Sequence, residues 1–194
     1  MAENQSISLR FVTVEDAREL VNIYAPYVET TAISFEYETP SVEEFARRIA
    51  EVLERFPYLA AVREGEIVGY AYAHPYGVRK AYSWAVELSV YIRRDCRGMG
   101  IGRMLYEAME DILKAQNITN LYVLVAGVDE EDEYLTKNSV NFHAHMGYRM
   151  VGTFQKCGYK FGRWYNMVWM EKILGEYRED QPPVRPFPSL KNTD

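Results

Sequence analysis

Two kinds of hydrophobic spacing alternate along the chain, and together they predict a fold of mixed strands and helices. Residues 84–92 alternate between apolar and other side chains and are rich in strand-forming residues, which predicts a strand. Directly after them, apolar residues recur at helical spacing over about residues 102–116, which predicts an amphipathic helix. Further strands are predicted at 7–12, 58–63, 67–74, 121–126, about 148–155 and about 164–172.

Three more helices complete the pattern. Thr13-Val-Glu-Asp16 resembles a capping box and predicts a helix that runs to about Tyr24, before Pro26 interrupts it. Ser41-Val-Glu-Glu44 is a second capping box, and a short helix is predicted at about 138–146. This order of elements predicts an α/β fold in which a mixed central sheet of about seven strands carries helices on both faces.

Composition and charge narrow the class of protein. A chain of 194 residues is long enough for one domain with an ample core, and its net charge of −6 argues against a nucleic-acid partner. No apolar run approaches the ~20 residues that span a bilayer, and the N-terminal residues lack the apolar core of a signal peptide. We therefore expect a cytoplasmic protein without membrane contact. Cys96 and Cys157 are too few for a disulfide framework or a zinc site, so we expect no metal.

Two segments depart from the periodic pattern. Residues 129–133 are a run of acidic side chains, which predicts a solvated loop tip. Residues 176–194 hold four of the eight prolines and have little periodicity, which predicts a tail that is either disordered or docked on the surface. We therefore divide the chain into a domain over residues 1–174 and a C-terminal tail over residues 175–194.

The most informative segment, Arg97-Gly-Met-Gly-Ile-Gly102, lies between the 84–92 strand and the following helix. Its glycines permit a tight turn and a close approach of the backbone to a ligand. The helix N-terminus presents unpaired N–H groups and the positive end of the helix dipole, which together favour an anion. The segment lacks the Gly-Lys-Ser/Thr of a P-loop and the G-x-G-x-x-G of a dinucleotide-binding loop. It predicts a pyrophosphate cradle, and the alternative is a glycine turn that binds nothing.

The spacing that does fit is Arg/Gln-x-x-Gly-x-Gly, and it resembles the acetyl-coenzyme A loop of the GCN5-related N-acetyltransferase superfamily. Other segments resemble, in the same order, the phosphinothricin and methionine-sulfoximine N-acetyltransferase branch: residues 81–84, Glu87, 90–92, His143 with 146–148, and 158–162 with Trp164. The resemblance covers about residues 7–172. It implies the three-layer fold of that superfamily, acetyl-coenzyme A as co-substrate and a small amino-acid-like amine as acceptor. The acidic residues 129–133 and a shifted Asn-x-x-Ser sequence depart from the branch near the expected rim of the pocket, and therefore bear on the identity of the substrate.

Glu87 and His143 are the candidate catalytic residues. A lone carboxylate in an otherwise apolar strand is costly unless it has a partner or a function. The branch places its proposed general base at the position of Glu87, and the alternative is a salt-bridged or surface glutamate. His143 occupies the helix position where many members of the superfamily carry a tyrosine proposed to protonate the thiolate. The alternative is that His143 only packs in the core.

The resemblance also implies the binding residues. The strand end Val90-Tyr91-Ile92 would pair with the pantetheine arm, and Asn138 would either bond that arm or cap its helix. Arg79 and Tyr82 would bind the acceptor, since a guanidinium can bond a carboxylate bidentately. Phe35 and Trp164 would line the acceptor pocket. The pyrophosphate would contact Arg97, Gly98, Met99, Gly100, Ile101, Gly102 and Arg103.

Three functions remain open from the sequence. The first is direct acetyl transfer to a small amine, without an acyl-enzyme. The second is acetylation of a protein or peptide N-terminus, to which the acidic residues 129–133 would attract basic substrates. The third is a non-catalytic coenzyme A sensor, which the presence of a plausible base disfavours. Members of the branch are often dimers, and the sixteen tyrosines are compatible with a homodimer.

Overall fold

The computed structural model describes residues 6–189, and these form a mixed sheet of seven strands with helices on both faces. This confirms the predicted fold class. The strands are β1 (Ser8–Phe11), β2 (Tyr58–Arg63), β3 (Glu66–Pro75), β4 (Ala85–Ile92), β5 (Asn120–Gly127), β6 (Arg149–Lys160) and β7 (Arg163–Ile173). The helices are α1 (Ala17–Thr30), α2 (Val42–Leu53), α3 (Ile101–Ala115) and α4 (Asn138–His145).

The strand order β1-β2-β3-β4-β5-β7-β6 places the parallel pair, β4 and β5, in the middle of the sheet. These two strands pair over only three positions, from Ala85 opposite Asn120 to Glu87 opposite Tyr122. β4 continues to Ile92 and β5 to Gly127 without further pairing to each other, so the two strands part. The backbone groups along this gap therefore have no partner on the neighbouring strand.

The two faces of the sheet are chemically different. The face under α3 and α4 is aliphatic, with Val86 and Leu88 of β4 buried beside Val123 of β5. The face under α1 and α2 carries rings, including Tyr58 and Tyr70. The alternation of β4 predicts this division, since Glu87, Ser89 and Tyr91 point to the ring-bearing face.

The prediction that α1 ends before Pro26 is wrong. The helix begins after a 3₁₀ turn at Val14–Asp16, in which Asp16 accepts the backbone N–H of Thr13 at 2.8 Å, and it continues through Pro26 to Thr30. Proline removes one backbone donor, but Tyr27 and Val28 beyond it are buried against the sheet. Burial of that apolar face outweighs the lost hydrogen bond.

The acidic residues 129–133 form a loop in which only Asp132 is partly buried and the other four residues are exposed, as the sequence predicts. Asp132 accepts the backbone N–H groups of Tyr134 and Leu135, both at 2.8 Å, and pairs with Arg163 at 2.9 Å. Glu133 pairs with the same guanidinium at 2.8 Å. Arg163 at the start of β7 thus fixes two of the acidic side chains. The local sequence does not reveal this contact.

Residues 175–189 of the predicted tail run along the molecule, and residues 190–194 and 1–5 lie outside the described residues. Trp84 donates from Nε1 to the carbonyl of Pro182 at 2.7 Å, and Gln116 donates to that of Arg185 at 2.7 Å. The side chain of Phe187 is buried. Of the two predicted states of the tail, docking is the one seen up to residue 189. Within residues 6–189 no helix is long and apolar enough to cross a membrane.

Candidate active site

The glycine segment connects β4 to α3 and has an open, left-handed backbone. Gly98 and Gly100 have φ angles of 78° and 79°, and a Cβ added at either would meet nothing within 4 Å. Gly100 is the N-cap of α3 and provides no side-chain cap, so N–H groups of the first turn are left for a ligand. Arg97 and Arg103 beside it are exposed. The segment fits a pyrophosphate, because it offers backbone donors, positive charge and room.

The second half of the segment also serves packing. Ile101 is buried in the aliphatic core. A Cβ on Gly102 would lie 3.1 Å from the ring of Phe142, so this glycine lets α3 approach α4 closely. Met99, by contrast, is half exposed at the rim of the segment. The regular glycine spacing therefore combines two requirements, an open backbone at Gly98 and Gly100 and helix packing at Gly102.

A slot of about 70 Å³ lies where β4 and β5 part, and Val90, Tyr91 and His143 help to line it. The backbone N–H of Arg93 bonds to β3, whereas the N–H and carbonyl of Ile92 both bond the hydroxyl of Tyr27, at 3.2 and 2.5 Å. Because polar groups alternate along a strand, Val90 turns its N–H and carbonyl toward the slot. Within the predicted strand end 90–92, the backbone groups of Ile92 are thus already bonded to Tyr27, whereas those of Val90 face the slot.

Glu87 sits at the last position where β4 and β5 pair, at the base of the slot. It lies opposite His74 of β3, and its carboxylate is 3.7 Å from His74 Nε2. The two side chains remain 21% and 35% exposed, respectively, so both can exchange protons with solvent or an acceptor. Burial opposes a positive charge on His74, but the carboxylate of Glu87 outweighs it, and the pKa of His74 is raised above its usual value. Sequence reasoning missed this partner.

His143 on α4 is buried and fully hydrogen-bonded. Its Nδ1 lies 2.7 Å from the carbonyl of Ser139, and its Nε2 lies 2.9 Å from the hydroxyl of Tyr106. Burial lowers the pKa of His143 to about 4, so the ring is neutral near pH 7. A carbonyl can only accept, so the proton is on Nδ1 and Nε2 accepts from Tyr106. This geometry favours the packing interpretation over the role of proton donor.

The other predicted residues fall into separate groups. Arg79 and Tyr82 are exposed in the segment between β3 and β4, where they line a cavity of about 370 Å³. Phe35 packs on Gly158 of β6, and Trp164 lies against Tyr159 with ring centroids 5.0 Å apart. The two pairs therefore lie on different elements, Arg79 and Tyr82 before β4 and Phe35 and Trp164 at the β6–β7 hairpin.

Asn138 is exposed at the first turn of α4. The N-cap of that helix is Lys137, so the capping alternative for Asn138 is not observed. Within residues 6–189 no group of three His, Cys, Asp or Glu side chains is arranged to hold a metal ion.

A central sheet that splits between two parallel strands, with a glycine cradle at the next helix, defines a protein that binds an acyl-coenzyme A and transfers its acyl group. The acetyltransferase (GNAT) domain family matches residues 9–169. The chain belongs to this family, and it is therefore an acetyl-coenzyme A-dependent acyltransferase.

Individual relatives agree with this assignment. A phosphinothricin N-acetyltransferase of Streptomyces coelicolor is 34% identical over 178 residues, covering 90% of this chain and 100% of that protein. An L-methionine sulfoximine/L-methionine sulfone acetyltransferase of Pseudomonas paraeruginosa is 32% identical, covering 89% and 98%. A crystal structure of a phosphinothricin acetyltransferase from Sinorhizobium meliloti in complex with acetyl-coenzyme A is similar with a TM-score of 0.83. It is 28% identical and covers 93% of this chain and 98% of that one.

Proposed function

We propose that this protein transfers the acetyl group of acetyl-coenzyme A to the amine of a small amino-acid-like acceptor, with Glu87 as general base. One observation carries the proposal: a half-buried carboxylate with a histidine partner stands at the point where β4 and β5 part. Relatives named for phosphinothricin and methionine sulfoximine support this acceptor class.

The base acts on the acceptor before the bond forms. An amine near neutral pH is mostly ammonium, and Glu87, coupled to His74, takes its proton. The free nitrogen then attacks the thioester carbon, and the carbon–sulfur bond breaks. Acetyl-coenzyme A supplies the acetyl group and leaves as the thiol, because its sulfur gains the second proton that the nitrogen loses after the attack. The N–H of Val90 donates to the thioester oxygen as negative charge develops there.

His143 takes a positioning role in this proposal. Its single ring proton is bonded to Ser139, and its other nitrogen fixes the hydroxyl of Tyr106 at the wall of the slot. Both side chains line the slot. His143 thus holds Tyr106 in place and supplies no proton of its own.

Attack is direct, without an acyl-enzyme. Cys96 is buried beside the glycine segment, where Arg93 Nη2 lies 3.5 Å from its sulfur, and Cys157 is exposed on β6. Cys96 belongs to the aliphatic core, on the face of the sheet opposite to the side chain of Glu87. Arg79 and Tyr82 bind the carboxylate end of the acceptor from one side, and Phe35 and Trp164 bound it from the other.

The protein is a homodimer in this proposal, and it acts in the cytoplasm. The edge strand β6 and the start of β7 expose large apolar side chains, among them Phe154 and Trp164, each 60% exposed. Large apolar side chains exposed along one edge of a sheet are candidates for a protein–protein interface. Light scattering coupled to size exclusion should give the mass of two chains, and a single-chain mass would contradict the dimer.

The test is an assay of thiol release from acetyl-coenzyme A with a panel of acceptors. The panel contains phosphinothricin, methionine sulfoximine, a peptide with a free N-terminal alanine, and no amine. Mass spectrometry of the products shows whether the acetyl group is on nitrogen. We expect turnover with the small amines. Turnover with the peptide alone would favour the second function, and tight acetyl-coenzyme A binding without turnover would favour the sensor.

A further inference from the structure

A cavity of about 400 Å³ lies between α2 and the face of the sheet that carries Glu87. This volume falls within the ~300–1,000 Å³ typical of small-molecule pockets. We call it the tyrosine cavity, because its walls include the rings of Tyr24, Tyr58, Tyr70, Tyr72, Tyr91 and Phe45.

The tyrosine cavity adjoins the proposed catalytic groups. His74, the partner of Glu87, lines it, and Tyr91 lines both the cavity and the slot between β4 and β5. An acceptor whose amine lies at Glu87 would therefore have its remaining atoms at the edge of this cavity.

The charges on the cavity wall are already paired. The guanidinium of Arg48 is 2.7 Å from Glu36 and 2.9 Å from Glu44, and the carboxylate of Glu51 pairs with Arg47. Two carboxylates thus share one guanidinium, and no cation of α2 is left for a further anion. A second anionic group on the acceptor would face the carboxylates of Glu36 and Glu51, while Arg48 and His74 in the same wall already have carboxylate partners.

The rest of the wall is suited to an uncharged side chain. Tyr58 and Tyr72 stack with centroids 4.9 Å apart, and Val52 and Pro75 add aliphatic surface. Aromatic walls bury large apolar areas and meet other rings in edge or offset contacts.

We propose that the tyrosine cavity receives the side chain of the acceptor, and that the preferred acceptor carries an uncharged aliphatic or aromatic side chain. This inference rests on the proposed function and specifies its substrate class. It distinguishes the chain from an enzyme whose acceptor ends in a second anionic group, such as a phosphinate.

The test compares acceptors that share an amino acid backbone. Leucine and phenylalanine have uncharged side chains, glutamate and phosphinothricin have anionic ones, and alanine is the small reference. We expect kcat/KM for thiol release to be at least about tenfold higher for the uncharged pair than for the anionic pair. An equal or reversed preference would overturn the assignment.

Two variants locate the effect. Val52→Trp fills the cavity and should lower kcat/KM for phenylalanine at least about tenfold, while alanine changes less than about twofold. Ala50→Trp adds the same ring on the exposed side of α2 and should change neither. Glu36→Gln frees one side of Arg48 without filling space, so it should raise the glutamate-to-leucine ratio at least about threefold.

The outcomes separate the two proposals. If alanine supports thiol release but Val52→Trp affects all acceptors alike and Glu36→Gln leaves the ratio unchanged, the cavity assignment is wrong and the proposed function stands. If no amine supports thiol release from the wild-type protein, the proposed function is wrong, and the cavity assignment fails with it.

Discussion

The two ends of the proposed active site are built in different ways. The pyrophosphate part of the coenzyme A end is one continuous segment, residues 97–103, whose main features are backbone conformation and free N–H groups. The acceptor end is assembled from parts distant in sequence: His74 on β3, Glu87 on β4, Phe35 between α1 and α2, and Trp164 on β7. The first depends on neighbouring residues of the chain, and the second depends on contacts between distant segments.

The acceptor end is held together by long-range contacts. Lys160 of β6 is buried and donates to three carbonyls near the end of α1, those of Val28 (2.6 Å), Thr31 (3.0 Å) and Ser34 (2.7 Å). A Cβ on Gly158 would come within 2.2 Å of the ring of Phe35. The segment that carries Phe35 is thus fixed by the β6–β7 hairpin. In the proposed site, changes remote from Glu87 are therefore expected to alter acceptor use, whereas the pyrophosphate cradle depends chiefly on residues 97–103.

The largest expected effect is at the acceptor end, from Glu87→Gln. The substitution keeps the shape of the side chain and removes the proton acceptor, so kcat should fall about 100-fold, within the range for general bases. The Kd of acetyl-coenzyme A, measured by calorimetry, should stay unchanged. Glu171→Gln is the matched control, because Glu171 is another strand carboxylate with a basic partner, Arg149. A Glu87→Gln enzyme with wild-type kcat would remove Glu87 from the role of base.

The next effect is at the coenzyme A end, from Gly100→Val. A β-branched residue is strained at a φ of 79°, and its side chain would enter the space of the cradle, so the Kd of acetyl-coenzyme A should rise at least about tenfold. Gly65→Val is the control, since Gly65 has a φ of 84° and equally open surroundings in the β2–β3 turn. Both variants should lose about 1–2 kcal/mol of unfolding free energy. Equal Kd values for the two would contradict the cradle.

This contrast also explains what the sequence could predict. The glycine segment, the turn at Glu64 and Gly65, and the cap at Ser41 are local, and each is found where its residues predict it. The alternation of β4 correctly placed Glu87 opposite the aliphatic face. Such features depend on neighbours within a few positions of the chain.

The missed features depend on contacts between distant segments. The pairing of His74 with Glu87 requires the register of β3 against β4, which the irregular residues 76–84 set. The backbone N–H of Ile92 bonds the hydroxyl of Tyr27. Tyr27 lies in the part of α1 beyond Pro26, which the sequence did not predict as helix. The sequence does contain one signal of this pairing. His74 ends the predicted strand 67–74, and the next strand carries Glu87, so an antiparallel pairing of the two strands can place these residues side by side.

A smaller effect tests whether Arg79 belongs to the acceptor end. Arg79→Ala should raise the KM of a carboxylate-bearing acceptor about fivefold, because an exposed ion pair contributes up to about 1 kcal/mol. The amide of the same acceptor is the control and should change little. The steady-state KM values of both acceptors check this, and an equal rise for both would show that Arg79 only shapes the segment between β3 and β4.

The smallest effect concerns the pH dependence of the Glu87–His74 pair. The pKa of His74 is raised, so its ring keeps a proton to higher pH than an ordinary histidine and releases that proton as pH rises. The kcat of the wild-type enzyme should therefore fall on the acid side as this proton returns. His74→Gln removes this proton, so the variant should lack the acid limb that His74 contributes and should lose less of its own maximal kcat at pH 6, by about threefold.

The measurement is kcat from pH 5.5 to 9 with both substrates saturating. His145→Gln is the control, since His145 is exposed on α4, where its Nδ1 lies 2.6 Å from the carbonyl of Asn141. The same proton gives a matching effect on folding: stabilisation by the charged His74 is full below the unfolded pKa and is lost as pH rises through the raised folded pKa. The difference in unfolding free energy between wild type and His74→Gln should therefore shrink from pH 6 to pH 9. Superimposed kcat profiles for wild type and His74→Gln would show that Glu87 acts as base without His74. The general base would then be provided by β4 alone, with no contribution from β3.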